Sequence, residues 1–164
     1  MRLGAPGYDW GIPVPAPGGT DETLACHSYT EALLGHGWDC GNVVIQSTIA
    51  QGGTDPERTL RRTMRSQALL APPADADVFR EGDARMIIDD DFGVVGISLE
   101  GTGDHRDLTM VAVLTGQGAR LASVADSVWR AYTDRELPAV VVDEIHDLWN
   151  PLVGNRPRTQ EFST

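Results

Sequence analysis

Between Ala84 and Leu114 the apolar positions gather into three short runs, ARMII, VVGISL and DLTMVAVL, separated by DDDFG and EGTGDHR. Ile87, Val95, Ile97, Leu99, Met110, Val111, Val113 and Leu114 can serve one buried face or the other. The breaks are polar and glycine-bearing, as tight connections require. This pattern predicts three consecutive antiparallel strands on which the rest of the chain packs. Two helical patterns flank them. Thr54 with Glu57 has the spacing of a capping box and Pro56 suits a first helical position, so a helix runs from Thr54 to Pro72-Pro73. Its apolar side is Leu60, Met64 and Ala68, and its polar side holds Arg58, Arg61, Arg62 and Arg65. Further on, Leu121, Val124, Ala125, Val128, Trp129 and Tyr132 recur with helical period, predicting an amphipathic helix over 119–133.

The remaining stretches read less directly. Residues 42–50 form a strand pattern, and CHSYTEALL before them is a partner strand turning through GHGWDCG near Trp38; a helix over 21–34 is the competing reading. A short strand is expected near Val78-Phe79, and the run AVVV after Pro138 reads as a strand before an acidic turn. Pro13, Pro15 and Pro17 block helix and central strand alike in residues 1–20, which are therefore an extended arm. The expected architecture is an α+β fold, a twisted antiparallel sheet with two flanking helices. It comprises an arm (1–20), a single domain (21–145) and a polar C-terminal tail (146–164).

A chain of 164 residues that is 41% hydrophobic is of a size to form one domain with a true core. Its net charge of −11 comes from 24 acidic against 13 basic residues, and every base is an arginine. That balance repels nucleic acid and favours partners with basic surfaces. Without lysine there is no Schiff base, no lysine nucleophile and no P-loop lysine. No run reaches membrane-span length and Met1–Pro15 has no apolar signal core, so the cytosol is the expected location, with a virion or exported complex as the other setting. Two cysteines are too few for a disulfide scaffold.

Several residue groups carry candidate chemistry. AVVVDEIHDL has the form of a Walker B or DEAH motif, with Asp143 and Glu144 as its acids, but the required GxxxxGK[ST] loop is missing. Asp89-Asp90-Asp91 and the group Asp104, His105 and Asp107 could each meet a hard cation. They sit at opposite ends of strand 94–99, about 20 Å apart, and cannot share one. Cys26, His27, His36 and Cys40 have ligand-type side chains in no zinc spacing. In a hairpin centred near Trp38 the two cysteines stand about 30 Å apart, which forbids a disulfide and leaves two thiols. Neither a GxSxG elbow nor a GxGxxG loop occurs. No metal or cofactor is expected.

The order of GWDCGNVVIQSTIAQG, the helix DPERTLRRTM, the three strands and the helix Leu121–Tyr132 resembles the PsbP-like fold of photosystem accessory proteins and LpqN-type actinobacterial lipoproteins. The resemblance covers roughly residues 28–133 and implies a non-catalytic docking module. The expected function is thus a non-enzymatic protein-binding or structural subunit of a larger assembly. Its terminal segments would contact neighbouring chains through Tyr8, Trp10, Ile12, Trp149, Leu152 and Phe162. The other expectations are an acidic inhibitor masking a basic partner and a small metal-dependent enzyme.

Overall fold

The computed structural model describes residues 1–18, 21–29, 36–52, 55–68, 72, 75–90 and 92–148. Among these, the main sheet holds seven antiparallel strands: β3 (His27–Tyr29), β4 (His36–Asp39), β5 (Val44–Gln51), β6 (Val78–Glu81), β7 (Ala84–Asp89), β8 (Val94–Glu100) and β9 (Leu108–Thr115). A two-stranded hairpin, β1 (Arg2–Leu3) with β2 (Ile12–Pro13), precedes it. The strand order is β3-β4-β5-β9-β8-β7-β6. The chain steps inward from β3 to β5, crosses through helix α1 (Pro56–Ala68) to the far edge, and walks back from β6 to β9. The expected meander and both helices are present, the second being α2 (Gly118–Thr133).

The near-unbroken apolar runs of β7 to β9 follow from cover on both faces. Leu60 and Met64 of α1 pack against Ile87, Val94, Val111 and Val113 on one side. Gly96 lets α1 sit this close, since a Cβ there would stand 2.6 Å from Met64 Cγ. On the other side Leu121, Val124, Val128 and Trp129 of α2 close over Ile45, Ile49, Met86, Val95, Ile97, Met110, Ala112 and Leu114. Asp55 starts α1 by accepting the Arg58 N–H at 3.1 Å, directly before Pro56. Thr54, the expected capping residue, lies outside the described residues, as does Asp91. Asp134, in the left-handed conformation (φ 59°), ends α2 and donates its N–H to the Arg130 carbonyl.

Three expectations need correction. First, AVVV is not a strand: Ala139–His146 is a helix, α3, whose Val141 and Ile145 are buried while Val140 is 72% exposed. The i, i+4 spacing of its buried side chains, extended by Leu148, outweighs the strand preference of a valine run.

Second, the cysteines are bonded. The chain reverses twice between residues 27 and 44, making β3 and β4 separate strands, and Trp38 lies within β4 rather than at a turn. Pairing of His27 with Asp39 brings the next residues outward, Cys26 and Cys40, to a Cα separation of 4.2 Å and a disulfide. Arg120 of α2 then donates to the Cys40 carbonyl.

Third, the N-terminal segment is extended but does not reach away from the domain. Leu3, Val14 and Leu24 are buried in the main core. Ser47 Oγ of β5 accepts the Gly4 N–H and donates to the Gly4 carbonyl, each at 2.8 Å.

Candidate functional site

A cleft of about 400 Å³ opens where the β1–β2 hairpin lies across β4. The hairpin loop supplies Tyr8, Asp9 and Trp10; β4 supplies His36 and Trp38, two residues apart and so on one face of the sheet. Arg2 stands at its edge and donates to the Gly11 carbonyl at 2.8 Å. Gly4 suits this wall because its backbone, at φ 157°, passes directly over the Trp10 carbonyl, 2.7 Å from where a Cβ would lie.

Two ring pairs fix the aromatic walls. Trp10 stacks on His105, with centroids 4.8 Å apart and planes 9° from parallel. His105 comes from the short 3-10 turn Gly103–His105 between β8 and β9, and its Nε2 meets the Asp9 carbonyl at 3.3 Å. His36 tilts against Trp38 at 4.4 Å. Trp38 Nε1 and His36 Nε2 are both hidden and have no hydrogen-bond partner among the described residues. Tyr8 is 36% exposed and forms a wall shared with a second depression, lined by Gln51, Asp104, Arg106, Asp107 and Leu108.

The expected contact residues are therefore split. Tyr8 and Trp10 meet in the cleft. Ile12 packs against the main core and borders a separate depression with Arg130 and Asp134. Trp149, Leu152 and Phe162 lie outside the described residues. Sequence reasoning finds no signal for Arg2, offers His36 as a metal-ligand candidate and puts Trp38 at a turn, although the HGW alternation places His36 and Trp38 on one strand face. It gave His105 to a cation loop, whereas the ring braces Trp10.

The other candidate groups do different work. With both sulfurs in the disulfide, Cys26, His27, His36 and Cys40 are no ligand set. Among the described residues no group of three His, Cys, Asp or Glu side chains could hold a metal ion. Glu144 lies on α3 near Asp77 and Asp90. Partial burial first, then the repulsion of those two carboxylates, raises its pKa. No described helix is long and apolar enough to cross a membrane.

Comparison of the chain with protein-family models, curated proteins and solved structures found no match.

Proposed function

We propose that this chain is a non-enzymatic protein-binding domain, a subunit of a larger assembly, that receives a segment of its partner in the cleft between the N-terminal hairpin and β4. One observation carries the reading. Three large aromatic side chains, Tyr8, Trp10 and Trp38, converge on a single open cleft, with Tyr8 left partly in water. Aromatic residues held rigidly in a pocket are the usual anchors of protein recognition. The net charge of −11 favours a basic partner. A docking role is also what the PsbP-like resemblance implies. The Cys26–Cys40 disulfide supports an oxidising setting, where such bonds persist, over the cytosol.

Photo-crosslinking tests the reading. A benzophenone side chain replaces Tyr8 in one variant and Val140, exposed on α3, in another, and both are expressed in the cells that make the protein. A discrete adduct with one other chain is expected from position 8 and not from position 140. Adducts from both positions alike, or from neither, would refute it.

A further inference from the structure

We infer, resting on the reading above, that the cleft's occupant is an extended, proline-rich segment of the partner that carries basic residues beside its prolines. Three features of the site converge on that chemistry.

The first is the balance of donors and acceptors. The Arg2 guanidinium and the Tyr8 hydroxyl present N–H and O–H groups to the cleft, whereas Trp38 Nε1 and His36 Nε2 are hidden behind its walls. Asp9 is the one carboxylate in that wall. With Arg2 and Tyr8 set against that single carboxylate, the cleft suits a ligand rich in acceptors. Proline offers a carbonyl and no N–H, so a proline-rich chain matches the cleft where an ordinary peptide brings surplus donors.

The second feature is topological. β4 is already paired with β3 on one side and β5 on the other, so it has no free edge for an added strand. A bound peptide must be held by ring faces and side-chain donors instead. The polyproline II helix is read in that manner: it has no internal hydrogen bonds to satisfy, and it loses little entropy on docking against aromatic walls.

Charge is the third. Tyr8 is also a wall of the neighbouring depression, which holds Asp104 and Asp107 against the single cation Arg106. With the molecule at −11, a lysine or arginine following the prolines is drawn to those carboxylates and can lie over the Tyr8 ring.

The test uses the full chain and a fluorescein-labelled oligoproline peptide ending in two arginines, read by fluorescence anisotropy. Two labelled comparison peptides are a Gly-Ser peptide with the same arginines and an oligoproline ending in two glutamates. Cellotetraose, read by tryptophan fluorescence, probes a sugar as the alternative occupant. The expected result is binding with a Kd on the order of 100 µM, weakened by salt, as befits a short segment in an open cleft. Both comparison peptides should bind at least tenfold more weakly, and Tyr8→Ala should weaken binding about tenfold while the far-UV spectrum stays unchanged.

Equal affinity for the Gly-Ser or glutamate peptide, no binding of the arginine peptide, indifference to Tyr8→Ala, or binding of cellotetraose alone would each overturn the inference. The crosslinking result keeps the two claims apart. A position-8 adduct together with a failed peptide assay rejects this ligand class and leaves the binding role standing.

Discussion

Tyr132 closes the apolar stripe of α2 with its hydroxyl inside the protein and no hydrogen-bond partner among the described residues. Burial drives its ionisation far above the ordinary tyrosine range, so the group stays neutral at any working pH. An unsatisfied buried hydroxyl costs about 1–3 kcal/mol. Tyr132→Phe removes that oxygen and keeps the ring, so it should raise the melting temperature by about 2–4 °C for each kcal/mol recovered in a protein of this size. A lower melting temperature in a thermal scan would show that the hydroxyl is satisfied. Glu144 makes the opposite point about charge. Its pKa is raised by partial burial and by Asp90 and Asp77, so the folded protein holds that proton more tightly than the unfolded chain. Stability from this group is therefore present below the ordinary glutamate pKa and is lost as pH rises through the raised value. Glu144→Gln should stabilise the protein at pH 7 by about 0.3 kcal/mol, a small gain because water screens a half-exposed side chain. Urea titrations should show the gain vanishing near pH 4. A gain that persists there would mean that packing, not repulsion, is responsible.

At the scale of elements, legibility followed the range of the interactions that fix each one. The meander and helices α1 and α2 are set by local periodicity and by the Asp55-Pro56 start, all visible in the sequence. Helix α3 runs against the local pattern, because three successive valines favour a strand. Yet the spacing of Val141, Ile145 and Leu148, which decides the matter once α2 lies alongside, was present in the chain. The β3–β4 pairing could not be read locally, because it depends on which of two reversals the chain makes. The cleft shows the same division. Alternation picks out Tyr8 and Trp10, but His105 reaches Asp9 across 96 positions of sequence, a contact no window contains. The disulfide fastens the least anchored part of this arrangement, the three-residue edge strand β3, to β4. Joining residues 14 apart removes denatured-state entropy worth about 3 kcal/mol. Replacing both cysteines by serine should lower unfolding stability by about that amount, as read by urea denaturation under non-reducing conditions. An unchanged midpoint would mean that the two sulfurs are not bonded in the folded protein.

For the whole molecule, the N-terminal segment decides whether the domain is complete. Its composition suits a loose arm, yet Leu3 and Val14 are fully buried and join Leu24 in the core covered by α2. Backbone bonds lash the segment in place: the Val14 N–H donates to the Met1 carbonyl at 3.2 Å, and the Leu24 N–H to the Val14 carbonyl at 2.8 Å. Ser47, buried in β5, has both of its hydrogen bonds on Gly4 and would lose them together. Burying one leucine and one valine contributes roughly 1.5–3 kcal/mol each. Stripping an already buried Ser47 hydroxyl of its partners costs about 1–3 kcal/mol more, unless water enters to replace them. Ordering the segment offsets part of this total, because each fixed residue costs about 1–2 kcal/mol of backbone entropy. A chain lacking residues 1–18 also uncovers part of the core cluster that Leu3 and Val14 share with Ile45 and Trp38. That chain should melt well below the full-length protein, by about 10 °C if half of the gross contact energy is lost, and should bind the dye ANS in the cold. Two measurements check this, a thermal scan and ANS fluorescence at 10 °C. An unchanged melting temperature without ANS binding would make the segment a detachable arm and would return Tyr8 and Trp10 to contacts outside the domain. A lowered melting temperature makes it the wall that both completes the core and forms the cleft, so that the binding site exists only in the fully folded molecule.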